Sequence, residues 1–188
     1  MNKLVTLDHQ ITIFLNQFGS EQMDAFWLWI TEASSWYWMY GACILLFFIL
    51  DRAWCFVALA ATLITFGLSD WISVHAFKDV FERLRPCHQE GVMEYIRLVP
   101  EGCGGSFGFV SSHAANTFGL AVFFSRYFKP YVSWAPYFFG VYCVLNAASR
   151  VYLGVHYFGD VLGGAILGTL IGSMMWYAYR FTARYRPL

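Results

Sequence analysis

Apolar residues gather along this chain in five long runs, near 36–50, 53–77, 110–128, 132–149 and 157–180, and polar residues crowd the gaps between them. A helix needs about 20 apolar residues to cross a bilayer, and shorter runs suffice at thin or distorted edges. The runs therefore predict five spanning helices. Residues 1–31 follow a different pattern. Leu4, Leu7, Ile11, Phe14 and Leu15 recur at helical spacing, His9 and Asn16 fall on the opposite side, and Asp8 sits at the edge. That pattern predicts an amphipathic helix, lying at the membrane interface or packed against the bundle. The stretch Phe26-Trp27-Leu28-Trp29-Ile30 can dip into lipid as well. The expected fold is all-α: a polytopic membrane bundle of five or six helices, forming a single domain over 1–188 with an extramembrane loop over 87–109.

Composition agrees with a lipid environment. Charged residues make up 13% of the chain, against roughly 25% in a soluble domain. Eight Trp, 12 Tyr and 19 Phe are enough for aromatic belts at two membrane surfaces. The formal net charge is zero, so no global field recruits nucleic acid. Residues 1–20 hold Lys3, Asp8, His9, Gln10 and Gln17 with no continuous apolar core, and no cleavable signal peptide is expected.

The cysteines divide by position. Cys43, Cys55 and Cys143 lie in apolar runs, where buried thiols are ordinary. Cys87 and Cys103 flank the polar loop and form a disulfide if that loop faces an oxidising compartment; two free thiols are the other reading. Gly102, Gly104, Gly105 and Gly108 make the loop mobile enough to gain from a staple. In the last apolar run, Gly164, Gly168 and Gly172 form a stripe that lets another helix approach closely.

Three polar stretches carry chemistry. The first runs from Lys78 to Arg85-Pro86; on a continuing helix the two cations would share a face, with Pro86 ending the helix. Snorkelling interfacial cations would look the same. The second is Ser111-Ser112-His113, placed to cap the helix that follows. A helix N-terminus also binds anions, and a histidine in its first turn can give a bound anion a proton. The third is Ser149-Arg150, then His156, then Asp160. A carboxylate four residues from a histidine can hold one ring nitrogen and free the other as a nucleophile or base. Asp160 lies inside an apolar run, where an acid marks function by default. Arg150 can grip phosphate oxygens with its fork. Together these stretches supply three fixed cations, two histidines, a carboxylate and a hydroxyl pair, with no evident metal-ligand set.

In an up-and-down bundle all three stretches fall on one membrane face. Arg52, Arg126, Lys129, Arg180, Arg184 and Arg186 fall on the other, and Lys3, Lys78, Arg83, Arg85, Arg97 and Arg150 on the motif face. Setting aside the three cations the site itself uses leaves three against six. The positive-inside rule then puts the C-terminus in the cytoplasm and turns the site outward, toward the periplasm of a bacterial inner membrane.

The order Lys-six residues-Arg-Pro, then Ser-x-His, then Ser-Arg-five residues-His-three residues-Asp resembles the type 2 phosphatidic acid phosphatase superfamily, whose signature also occurs in vanadium haloperoxidases and glucose-6-phosphatase. The resemblance covers about 53–180. It departs from the family at Val110 and Ser112, which stand where Pro and Gly are usual. It implies that Lys78, Arg85 and Arg150 hold the phosphate with Ser111 and the N–H of Ser112. It implies that His156 attacks phosphorus to form a phosphohistidine, that Asp160 orients His156, and that His113 protonates the leaving oxygen and then activates water. No metal or other cofactor is implied. The implied substrate is an amphiphile whose phosphate enters the site while its tail stays in lipid: undecaprenyl diphosphate, phosphatidylglycerol phosphate, phosphatidic acid or the 1-phosphate of lipid A. Tyr95, Phe107, Phe109 and Tyr157 are candidates for the tail entrance. A lipid phosphotransferase and a non-catalytic membrane scaffold are the competing readings; a soluble haloperoxidase conflicts with a mean hydropathy of +0.50.

Overall fold

In a computed structural model, residues 3–183 are described. They form seven helices: α1 Lys3–Gln17, α2 Glu21–Thr31, α3 Tyr37–Leu50, α4 Cys55–Phe81, α5 Ser112–Phe128, α6 Ala135–Tyr152 and α7 Phe158–Ala183. Arg184 and Arg186, counted in the charge balance above, lie outside the described residues. No strand occurs among the described residues; a lone antiparallel bridge joins Leu84 and Phe107.

Three segments are long and apolar enough to cross a membrane by length and composition: Ala33–Leu50, Cys55–Phe81 and Phe158–Ala183. The five-run pattern counted α5 and α6 as well. α5 is 17 residues long, and α6 carries Asn146, Ser149 and Arg150. These two helices turn more of their surface toward protein. α5 packs on α4, α6 and α7 and buries residues on several sides, so its neighbours supply the contacts that lipid supplies to the others.

The glycine stripe of α7 makes the tightest of these contacts. A Cβ on Gly164, Gly168 or Gly172 would collide with the backbone carbonyls of Ser111, Ala115 and Gly119 in turn. α7 therefore lies directly on the α5 backbone, the geometry that small residues permit. Toward the far end, aromatic side chains fill the core, with Phe47 stacked on Phe128 at 5.4 Å between centroids.

α1 is turned opposite to a helix of a water-soluble domain. Leu4 and Phe14 are more than 60% exposed, while Thr12 and Asn16 are fully buried. Its polar face is the one packed against the protein. There it satisfies backbone groups that helix ends leave open. Phe158 N–H donates to Thr12 Oγ1 at 2.9 Å and Gly159 N–H to Asp8 Oδ1 at 2.7 Å, capping α7. The Asn16 amide donates to the carbonyls of Val151 and Tyr152, capping α6.

Candidate active site

Four chain ends meet here: the exit of α4, the start of α5, the exit of α6 and the start of α7. The exit of α4 differs from the sequence expectation. The helix does not continue to Pro86. It stops at Phe81, and Glu82 turns the chain in the left-handed region (φ 46°). Residues 83–85 then run extended beside 106–108, with Gly108 N–H donating to Arg83 O at 2.8 Å and Arg85 N–H to Ser106 O at 3.0 Å. Lys78 and Arg85 reach the site from a helix end and from an extended segment, not from one helical face.

This turn places a residue that the sequence reading left out. The Arg83 guanidinium donates to Asp160 Oδ1 at 2.8 Å and to Asp8 Oδ2 at 2.6 Å. It also lies over the Tyr157 ring, 4.1 Å from the centroid, with His9 stacked on that ring. Tyr157, expected at a tail entrance, is buried beneath these two groups. Five residues after Lys78, Arg83 would point away on a continuing helix, so only the Glu82 turn reveals it.

The start of α5 is capped as the serines predict. Ser111 Oγ accepts from Ala114 N–H at 3.4 Å, and Ser111 N–H donates to Asp160 O at 2.9 Å. Ser112 Oγ receives Lys78 Nζ at 2.7 Å and Ser73 Oγ at 2.6 Å. His113 Nε2 lies 3.2 Å from Asn146 Oδ1. Since the Asn146 amide nitrogen donates to Tyr142 O at 3.0 Å, its oxygen faces the imidazole, which assigns the proton to Nε2 and leaves Nδ1 for another partner. Asn146 is a second residue the sequence reading missed; its signal was a lone amide in an apolar run.

α6 ends in a tight turn. Gly154 adopts φ 76°, and a side chain there would strike Ile96 and the Arg97 carbonyl. Through this turn the N–H groups of Val155 and His156 both return to Arg150 O, which sets Arg150 and His156 side by side. Arg150 donates to Thr31 Oγ1 of α2 at 2.7 Å, and Arg85 to Val155 O at 3.4 Å. The Nε atoms of both arginines are buried with no hydrogen-bond partner among the described residues. Two buried guanidiniums with unspent donors fit an anion.

His156 is 2% exposed and Asp160 0%. Nδ1 of His156 lies 3.4 Å from Asp160 Oδ2, which also accepts from Tyr157 N–H at 3.0 Å. Gly108 packs on this pair: a Cβ there would come within 2.8 Å of Asp160 Oδ2. Burial pushes the His156 pKa well below the usual histidine range, and Arg150, Arg85 and Lys78 push it further; a backbone hydrogen bond at Gly108 opposes them. Burial and the three cations therefore favour the neutral imidazole, whose Nδ1 faces the acid.

The loop over 87–109 brings Cys87 and Cys103 face to face with Cα atoms 6.3 Å apart, inside the range a disulfide spans. With His88 they are the described group whose donor atoms cluster within 4.8 Å, and thiols that pair with each other are lost as metal ligands. The structure brings together all eight residues expected at the phosphate site, and adds Arg83, Asn146, Asp8 and Thr31.

The profile of the PAP2 superfamily matches residues 52–184. Lipid A 4'-phosphatase of Bacteroides thetaiotaomicron is 35% identical, over 96% of this chain and 81% of that protein. Lipid A 4'-phosphatase of Porphyromonas gingivalis is 28% identical, over 96% and 76%. The crystal structure of a transmembrane PAP2 type phosphatidylglycerolphosphate phosphatase from Bacillus subtilis superimposes with a TM-score of 0.77 at 23% identity, over 99% of this chain and 90% of that one. A profile match that runs from α4 through α7 and takes in all three polar stretches shows that this integral membrane protein belongs to the PAP2 superfamily.

Proposed function

We propose that this membrane lipid-phosphate phosphatase removes a phosphate monoester from an amphiphilic glycolipid at the outer face of the inner membrane, through a covalent intermediate on His156. The observation that carries the chemistry is the buried His156, held by Asp160 on one nitrogen and flanked by Arg85, Arg150 and Lys78. The substrate class is supported by the two lipid A 4'-phosphatases, which align with nearly the whole chain. The outward orientation is supported by the charge balance across the bundle, and the pairing of Cys87 with Cys103 suits an oxidising compartment.

In this reading Lys78, Arg85, Arg150, Ser111 and the first N–H groups of α5 hold the phosphate oxygens. His156 Nε2 attacks phosphorus in line; the N–P bond forms as the ester P–O bond breaks. His113, whose Nε2–H is held by Asn146, takes up the proton of the phosphate monoester monoanion on Nδ1 and gives it to the leaving oxygen. Asp160 stabilises the positive charge that develops on His156. Water then attacks the phosphohistidine and gives its proton to His113, the N–P bond breaks, and phosphate leaves with both histidines restored. Cations and a helix end aimed at the phosphoryl oxygens supply the electrostatic stabilisation.

The test is phosphate release by the detergent-purified protein from a lipid A bearing phosphate monoesters, phosphatidic acid, phosphatidylglycerol phosphate and undecaprenyl diphosphate, with EDTA present. Release that persists in EDTA and is lost in His156→Ala supports the reading. Turnover that needs a divalent ion, or survives His156→Ala, overturns it. Transfer of phosphate to an added lipid acceptor in preference to water would make the protein a phosphotransferase.

A further inference from the structure

Beside the phosphate site lies a cavity of about 650 Å³ whose occupant the mechanism leaves open. Arg85 and Arg150 form part of its wall, and His156 does not. It therefore adjoins the proposed phosphate site through these two cations. We propose that this cavity is a headgroup subsite for a hydroxylated ring, and that Glu32 makes it reject a second phosphate. The proposal rests on the phosphatase reading above and narrows its substrate.

The lining chemistry is that of a sugar site. One wall is the end of α2 and the turn into α3, contributing Trp29, Thr31, Glu32, Ser34 and Ser35; the loop over 100–104 faces it. A carboxylate and serine hydroxyls offer acceptors and donors to ring hydroxyls. Trp29 is half-exposed and leans on Trp36, with ring centroids 5.8 Å apart. Trp36 is buried and anchored by its indole N–H to Ile30 O at 2.9 Å. Trp29 thus presents a supported apolar surface to the C–H face of a ring. A pocket of several hundred Å³ with a few placed polar groups is what a small headgroup requires.

The acid is the informative residue. Glu32 makes no side-chain hydrogen bond or ion pair among the described residues. Its neighbour Thr31 is fixed to Arg150 at 2.7 Å, so the carboxylate sits at the edge of a site built to hold an anion. There it opposes any further negative charge. A diphosphate must place its second phosphate beyond the first, against this carboxylate. A sugar phosphate places hydroxyls there instead, and a carboxylate binds hydroxyls with charge-assisted hydrogen bonds.

Purified full-length protein would be assayed on a phosphorylated hexosamine lipid, on phosphatidic acid and on a polyprenyl diphosphate, each titrated for kcat and KM. Wild type should favour the hexosamine phosphate over the diphosphate by at least about tenfold, the worth of one charge-assisted hydrogen bond. Glu32→Ala should cut that preference to near parity, through a higher KM for the hexosamine lipid and a several-fold gain on the diphosphate. Trp29→Ala should lower kcat/KM for the hexosamine lipid more than for phosphatidic acid. A preference that stays within twofold of wild type in both variants makes Glu32 a solvated surface acid and overturns the subsite. Best turnover of the diphosphate by wild type overturns it as well. Absence of turnover on all three lipids overturns the phosphatase reading first and takes the subsite with it, an outcome distinct from the other two.

Discussion

Arg83 offers the sharpest test of how the site is held. Replacing it with Ala removes the fork that joins Asp160, fully buried, to Asp8 on α1. Asp160 then keeps only Tyr157 N–H at 3.0 Å and the longer contact to His156 at 3.4 Å. Stripping a buried charge of its partner costs about 3–5 kcal/mol. Part of that cost appears as lost stability, and part as an Asp160 that protonates or rotates away from His156. If about half falls on the transition state, roughly 2 kcal/mol, kcat drops about 30-fold. KM should change little, because Arg83 contacts the carboxylates of Asp160 and Asp8 and is not among the cations proposed to bind phosphate. Arg83→Lys keeps one charge but cannot bridge two carboxylates with a planar fork, so it should recover only part of the rate. Steady-state phosphate release, read with a thermal melt of each variant in detergent, separates the contributions. A kcat for Arg83→Ala within threefold of wild type would refute the argument. A rise in KM at unchanged kcat would instead put Arg83 on the phosphate.

Four further outcomes are expected. Gly108→Ala should lower phosphate release at least about 100-fold, because its methyl enters the space of Asp160 Oδ2. Asn146→Ala should slow turnover and shift the alkaline limb of the kcat–pH profile, since it frees His113 Nε2; an unaltered profile would count against His113 as the proton carrier. Non-reducing peptide mapping should find Cys87 joined to Cys103, and Cys87→Ser should lower the melting temperature, with Cys103 alkylated in the variant but not in wild type. Lowering pH should destabilise the protein: a histidine whose folded pKa is depressed leaves the folded state short of a proton below the unfolded value near 6.5. The melting temperature should therefore fall as pH drops below about 6.5, and fall less steeply in His156→Gln.

The proposed phosphate site was legible because its residues stand out against an apolar background. Lys78, Arg85, Arg150, His156 and Asp160 are rare residue types beside spans, and their order matches a family. The supporting residues were not legible, for specific reasons. Arg83 was hidden by the assumption that α4 runs on to Pro86, whereas Glu82 takes a left-handed turn that periodicity does not register. Thr31 and Asp8 act through contacts to residues more than 100 positions away, and no local pattern encodes such a partner. The amphipathic character of α1 was plain, but hydrophobic periodicity left open whether its polar side faced water or protein. α5 and α6 read as spans equal to the rest, since apolar runs do not reveal whether protein or lipid covers them.

The capping role of α1 has a consequence for how the protein is made. Thr12 and Asp8 hold the backbone of Phe158 and Gly159, 146 and 151 residues downstream. A ribosome adds roughly 5–20 residues per second, so the first helix waits on the order of ten seconds for its partners to emerge. Through that interval Thr12 and Asp8 lack these two partners, because the start of α7 has yet to exist. The histidine and the acid that it holds both arrive with the final helix. A nascent chain halted anywhere before residue 160 therefore lacks the complete site, and hydrolytic competence comes only when the last helix docks against the first.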